Sequence, residues 1–164
     1  RGNVQCGLPV FVEQNKVSDA IDHSRGFVHR FPLAVRWGDM DAYGHVNNVN
    51  FLRYLESGRV AYAHDAYGHP VGPTGENVIL ADTQCSFRRQ LHYPGDITIL
   101  SRTSRIGRTS MTMEQVILQD GGELVATSRS VLVWFDFSTQ RPTPVPGWLR
   151  SCLREYESER PEGL

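Results

Sequence analysis

The sequence predicts an α+β protein in which an antiparallel β-sheet wraps around one long central helix. Three observations lead there. Val49 to about Tyr67 runs without proline and spreads apolar residues over a wide arc, the pattern of a helix enclosed on more than one side. From Ile79 to Phe135 the chain reads as four strands, rich in Val, Ile, Thr and aromatics and joined by short connections. A single sheet of that length must curl or be covered, and the one long apolar helix is the obvious cover.

Residues 1–30 have no sustained period and are interrupted by Gly2, Gly7, Pro9 and Gly26. Val10 to Val12 is a candidate short strand there and Val17 to Ile21 a candidate helical turn, in a stretch expected to extend outside the core. From Phe31 to Trp37, Phe31, Leu33, Val35 and Trp37 fall on one face at period two, which predicts a half-buried strand. A polar, glycine-containing loop follows. Asn47 or Asn48 then suits a helix N-cap, because a side-chain oxygen there accepts from the unpaired amides of the first turn.

Along the helix, Phe51, Leu55 and Tyr62 share one side, while Val49, Leu52, Val60 and Ala63 share an adjoining one. Gly68-His69-Pro70 ends it. The strands follow: Ile79 to Arg88, where Ile79, Ala81, Thr83, Cys85 and Phe87 alternate with Leu80, Asp82, Gln84, Ser86 and Arg88, then Ile97 to Ile106, Ser110 to Gln119 and Leu124 to Phe135, with turns at Tyr93-Pro94-Gly95-Asp96, Gly107 and Asp120-Gly121-Gly122. Beyond Pro142-Thr143-Pro144-Val145-Pro146, the stripe Trp148, Leu149, Cys152, Leu153 and Tyr156 predicts a short amphipathic helix. The expected division is an extension over 1–30, one domain over 31–158 and a tail over 159–164.

The composition narrows the function. The 164 residues hold 17 Lys and Arg against 18 Asp and Glu, a net charge of −1, which argues against a general nucleic-acid binder. No apolar run approaches the roughly 18 residues of a membrane span. The three cysteines, Cys6, Cys85 and Cys152, are far apart and form no C-x-x-C, so they suggest free thiols in a reducing compartment, neither a zinc site nor a disulfide framework. A cytoplasmic setting is the expectation. None of Met40, Met111 and Met113 stands at position 1, which leaves open a targeting signal before Arg1.

Chemistry-bearing residues are densest between Asp39 and Asn48: two carboxylates, a phenol, an imidazole and two amides just ahead of a helix N-terminus. Free amides at such a terminus, with the helix dipole behind them, stabilise negative charge. A carbonyl under attack develops an oxyanion, so an amide near Asn48 can donate to it. A neighbouring carboxylate can activate water or attack the carbonyl itself. Asp and Asn before a helix are also ordinary caps, and carboxylates at i and i+2 in an extended loop point opposite ways, so one of Asp39 and Asp41 is expected to serve the site.

The string from Trp37 to Glu56, W-G-D-M-D-A-Y-G-H-V-N-N-V-N-F-L-R-Y-L-E, resembles the signature of hotdog-fold acyl-CoA thioesterases of the 4-hydroxybenzoyl-CoA thioesterase type. The likeness in element order extends from about Phe31 to Phe137. It implies that Asp41 is the catalytic carboxylate, that Asp39 is structural, and that the backbone N–H of Asn48 forms the oxyanion hole. His45 matches a histidine that assists catalysis in related plant acyl-carrier-protein thioesterases, which carry Asn where this chain has Tyr43. Tyr43 is thereby a substrate-binding candidate.

The resemblance further implies a homodimer or homotetramer with acyl-CoA sites at subunit interfaces. It places the CoA phosphates near the hairpin between long strands, here Arg105, Arg108, Thr109 and Ser110. The guanidinium groups can pair bidentately with phosphate, although solvated hairpin charges are the plain alternative. Arg88 and Arg89 are a second basic candidate. Glu56 and Arg59 form either a structural i, i+3 pair or part of the acyl pocket.

The expected reaction is hydrolysis of an acyl-CoA thioester to a carboxylic acid and free CoA, with no metal and no cofactor. Two other classes stand against it. One is a hotdog 3-hydroxyacyl-thioester hydratase or dehydratase, whose D-x-N-P-x-H spacing is absent here. The other is a non-catalytic acyl-CoA binding module.

Overall fold

The computed structural model describes residues 22–68, 72 and 75–164. The segments around Cys6, Val10 to Val12 and Val17 to Ile21 lie outside the described residues. The elements run β1 (His29–Ala34), α1 (Asn48–Tyr67), β2 (Glu76–Phe87), β3 (Asp96–Ile106), β4 (Ser110–Gln119), β5 (Leu124–Asp136), β6 (Arg141–Pro142) and α2 (Gly147–Tyr156). All strand pairs are antiparallel, in the spatial order β1-β3-β4-β5-β2, with β6 pairing the end of β5. This is the predicted α+β arrangement of the hotdog fold.

α1 starts where the side chain of Asn47 accepts from the Val49 N–H at 3.0 Å, and it stops at Gly68, whose φ of 61° only glycine adopts freely. Its buried side packs Phe51, Tyr54 and Leu55 onto Ile97, Ile99, Ile117 and Ala126. Tyr62 and Ala66 pack onto Ile106, Met111, Met113 and Trp134, with Leu149 and Leu153 of α2 closing that end. Each fully buried aliphatic or aromatic side chain contributes about 1.5–3 kcal/mol. Gly58 sets the closeness of helix and sheet: a Cβ there would stand 2.6 Å from Ile99 Cγ2. In the room it leaves, the Gln115 amide donates to Leu55 O at 3.0 Å and to Ser101 Oγ at 3.1 Å.

Three expectations change in detail. β1 starts at His29 rather than Phe31 and ends at Ala34, so Trp37 leaves the strand face; it opens a short 3-10 turn, Trp37–Asp39, and is 76% exposed. The alternation in β2 is broken by a bulge between Leu80 and Asp82. Phe51 and Ala63 are buried, whereas Val49, Leu52 and Val60, read as the second enclosed side of the helix, are exposed in the single chain. Residues 159–164 lie against β3, where Ile106 N–H donates to Glu162 O at 2.8 Å and Glu162 N–H to Ser104 O at 2.9 Å.

Buried titratable groups sit between α1, β1 and α2. Glu157 accepts from the Tyr62 hydroxyl and, at 2.6 Å, from the Thr103 N–H, while burial raises its pKa. His29 is buried without a hydrogen-bond partner for either ring nitrogen; its Nε2 is 3.6 Å from Asp65 Oδ2 and its ring meets Tyr62 edge-on. Burial holds the imidazole below its ordinary 6.5, and Asp65 opposes this. The native state therefore binds fewer protons at His29 than the unfolded chain just below that value. Stability is lost as pH falls from about 6.5 toward the depressed native pKa. Glu157, with a raised pKa, contributes in the opposite sense as pH falls toward 4.5. Denaturant midpoints from about pH 7 to about pH 5 should fall more steeply for wild type than for His29→Gln, which removes the titration. Parallel curves would show that the charged ring is tolerated.

Candidate active site

The site is built on the turn between β1 and α1. Asp39 bolts this turn to the helix: its Oδ2 accepts from the Tyr54 hydroxyl at 2.6 Å and from the Arg36 N–H at 3.0 Å. Its carbonyl accepts from Asn47 N–H and from Asn50 Nδ2, both at 2.9 Å. Burial and the Asp39 bond raise the Tyr54 pKa, so the phenol remains a donor.

Beyond Asp39 the chain makes a small loop closed by pairing of Met40 with Val46. Asp41 N–H donates to His45 O at 2.9 Å, and Gly44, at φ +80°, donates to Asp41 O at 3.1 Å. The loop is fastened from outside by Val46 N–H to Leu91 O at 2.7 Å and by His92 Nδ1 at 2.9 Å from Gly44 O.

Asp41 points away from Asp39, as the i, i+2 spacing predicts. Its Oδ1 accepts from the Tyr43 N–H at 2.8 Å, and its Oδ2 lies 3.7 Å from His45 Nδ1. That separation is too long for a hydrogen bond and short enough for an ion pair when the ring is charged. Tyr43 stacks on the His45 ring at 6.2 Å between centroids and is 87% exposed.

At the start of α1, Asn47 uses both of its oxygens. The side chain takes the Val49 N–H and the carbonyl takes the Asn50 N–H at 2.9 Å. Ahead of both amides lies the Asn48 N–H, which has no hydrogen-bond partner among the described residues. A first-turn amide without a partner carries the positive end of the helix dipole.

Asp41, Tyr43, His45 and Asn48 line one open pocket of about 510 Å³. Its apolar wall is Phe51 and Phe87, which meet edge-on at 5.1 Å, and its basic rim is Arg88 and Arg89. Both arginine N–H groups donate to Val125 O, at 2.8 and 3.2 Å, which fixes where the rim begins. The Arg89 guanidinium is 3.9 Å from Glu123. Such a pocket can hold a carbonyl between an amide and a carboxylate, with cations beside it for an anionic tail. A second, polar hollow of similar size, with Arg36, Asn50, Arg53 and Ser57, opens on another flank of the first turns of α1.

The hairpin candidates lie elsewhere in the protomer. β3 and β4 run alongside α1, with Ile97 and Ile117 beside Phe51 and with Ile106 and Met111 beside Tyr62 and Ala66. The hairpin carrying Arg105, Arg108, Thr109 and Ser110 is thus at the far end of a 20-residue helix, about 30 Å from its start. There Arg105 lies 3.6 Å from Glu162, the Arg108 and Thr109 carbonyls accept from Val145 and Trp134, and Arg150 holds the Gly107 carbonyl. One chain does not bring these four residues to Asp41. The sequence reading also passed over Phe51 and Phe87 as pocket walls. Only the strand periodicity, which puts Phe87 on the same face as Cys85, hinted at one of them.

Among the described residues, no group of three or more His, Cys, Asp or Glu is placed to hold a metal ion, and no helix is long and apolar enough to cross a membrane.

Comparison with known proteins agrees with this fold. A relative is the long-chain acyl-CoA thioesterase FadM of Escherichia coli (strain K12), 28% identical over 126 residues that cover 75% of this chain and 95% of that protein. A chloroplastic acyl-acyl carrier protein thioesterase of Arabidopsis thaliana is 26% identical over 138 residues, covering 82% of this chain and 72% of that protein. Among solved structures, a thioesterase from Thermus thermophilus in complex with coenzyme A and Zn superposes with a TM-score of 0.71 at 31% identity, covering 82% of this chain and 98% of that one. The family model described as the Thioesterase-like superfamily matches residues 35–153, from the end of the first strand through most of α2. The chain belongs to the Thioesterase-like superfamily.

Proposed function

We propose that this protein is an acyl-CoA thioesterase, of the 4-hydroxybenzoyl-CoA thioesterase type, that hydrolyses an acyl-CoA to a carboxylic acid and free CoA. The observation that carries this is that Asp41 and Asn48, whose N–H is unpartnered among the described residues, line one and the same pocket. The thioester carbonyl oxygen sits on that amide, which strengthens its bond as negative charge develops. Asp41 then removes a proton from water as the water oxygen joins the carbonyl carbon, or attacks that carbon itself to give a mixed anhydride that water opens. In either route the C–S bond breaks: in the first the CoA sulfur takes the proton that Asp41 removed from water, and in the second it leaves as a thiolate that solvent water protonates. His45 steadies Asp41 from 3.7 Å, and Tyr43 roofs the entrance. Arg88 and Arg89 line the same pocket and are the cations this reading assigns to the CoA phosphates. The hairpin residues Arg105, Arg108, Thr109 and Ser110 contribute only from a second subunit.

The proposed assembly is a homodimer, or a homotetramer containing it, built by the uncovered side of the chain. β2 is an edge strand of 12 residues, and Leu80 and Phe87 on it are exposed beside Val49, Leu52 and Val60 of α1. A long edge with apolar neighbours is a template for pairing, and a two-fold pairing of β2 strands covers it. The catalytic unit in this reading is residues 31–158.

The test is free-thiol release from short, long and aromatic acyl-CoAs by wild type and by Asp41→Ala. Turnover that vanishes in the variant supports the assignment. No turnover on any chain, with tight acyl-CoA binding retained, would make the protein a binding module. Enoyl-CoA in place of acid and thiol would make it a hydratase.

A further inference from the structure

We propose that the acyl group removed by this enzyme carries a carboxylate at its far end and that Arg59 receives it; this rests on the thioesterase reading above. The pocket at Asn48 and Phe87 lies between α1 and the edge strand β2. Further along the same two elements is a second hollow of about 140 Å³, with Glu56, Arg59, Val60, Ala63 and Tyr67 on the helix side and Val78 and Leu80 on the strand side. Eleven residues of α-helix return to within about 20° of the same azimuth and advance about 16–17 Å, so Arg59 stands nearly in line with Asn48. Long helical side chains lean toward the helix N-terminus, which brings the guanidinium back toward the reacting carbonyl.

Arg59 is half buried, yet among the described residues it makes neither a hydrogen bond nor an ion pair. Burial disfavours its charge, and Glu56, one turn earlier and exposed, is the opposing influence without being bonded to it. A guanidinium is always charged and has five donors, so a groove in which Val, Ala, Tyr and Leu surround it and the unbonded Glu56 is the one carboxylate is a costly place to leave it without a bonded partner. A methyl-ended chain entering to this depth would displace the water that remains on it. A carboxylate at the same depth would meet the guanidinium with two parallel bonds and match its charge.

The experiment measures thiol release from dicarboxylic mono-CoA thioesters, hexanedioyl through tetradecanedioyl. Each is compared with the methyl-ended acyl-CoA of equal chain length, for wild type, Arg59→Leu and Arg59→Lys, with sedimentation of all three proteins. In one window of chain length, wild type should favour the carboxylate-ended substrate in kcat/KM by about tenfold or more. Arg59→Leu should reverse that ratio, and Arg59→Lys should restore part of it. Equal rates for wild type at every length overturn the proposal and leave the thioesterase reading standing. So does a preference that Arg59→Leu leaves unchanged. An Arg59→Leu protein that falls to monomers with its ratio intact assigns the cation to the subunit contact instead. No thiol release from any thioester removes the thioesterase reading and this proposal together.

Discussion

Asp41→Asn should lower kcat by about 10²- to 10⁴-fold, the usual cost of losing a positioned base, while leaving the fold and the assembly unchanged. The geometry separates those two effects. Among the described residues, the main-chain hydrogen bond that the Asp41 carboxylate accepts is from Tyr43 N–H, at its Oδ1, and the Asn side-chain carbonyl can accept the same bond. What Asn cannot do is take a proton from water or form an anhydride. The neighbouring substitution should behave in reverse. Asp39 joins Arg36 N–H and the Tyr54 hydroxyl, so Asp39→Asn weakens a bond between turn and helix, and its first symptom is lost stability, on the order of 1–2 kcal/mol. Thermal melts and single-turnover rates on the two variants together give the comparison. An Asp41→Asn protein that turns over at near wild-type rate would end the assignment of Asp41.

The different directions of these two side chains were legible from sequence where other placements were not, and the difference is one of range; that Asp41 is the catalytic one rests on the resemblance. Asp39 closes the 3-10 turn and Asp41 follows the extended Met40, so within three residues the carboxylates take different directions, Asp39 to the Tyr54 hydroxyl and Asp41 to the Tyr43 N–H. Asn47 and Asn48 were both cap candidates for an equally local reason. The choice between them follows from Asn47 Oδ1 reaching the Val49 N–H. The length of α1, the hairpin glycines and the succession of strands along the chain are likewise short-range features. Trp37 misled because apolar alternation continues past Ala34, while the strand partner does not: β1 pairs β3 only as far as Ala34 with Asp96. Long-range placement was harder still. Arg88 and Arg89 are more than 40 residues from Asp41 in sequence and reach its pocket because β2 runs back beside α1. Arg105 and Arg108 were the stronger reading on resemblance, yet the pairing of β3 with β4 carries them to the opposite end of the helix. The second apolar side of α1 was legible as a side needing cover, and one chain leaves it bare at Val49, Leu52 and Val60. A sequence shows that a surface is apolar; whether its own chain or a copy covers it depends on topology.

Asn48→Pro should lower kcat by about 10²- to 10³-fold, the range seen when one oxyanion donor is removed, with little change in stability. Ordinarily proline in a helix costs several kcal/mol, because it loses a hydrogen bond and clashes with the preceding turn. Neither applies at the first helical position, where the N–H is unpaired in any helix and the fixed φ of proline suits the turn. The local backbone fits as well: Asn47 has φ −60° and ψ 136°, the extended conformation favoured before proline. The Asn48 N–H has no partner among the described residues, so its removal deletes no bond of the protein itself. The substitution therefore subtracts the one atom that the mechanism assigns to the carbonyl oxygen. Asn48→Ala is the control, because it discards the side chain and keeps the N–H; its rate should stay within a few-fold of wild type. The order of the two rates decides the matter. If Asn48→Ala is the damaged enzyme and Asn48→Pro the active one, the side-chain amide, and not the helix terminus, holds the substrate. If both melt near wild type and only the proline variant is slow, the loss lies in the transition state. The unpaired amide at the head of α1 is then the donor that stabilises it.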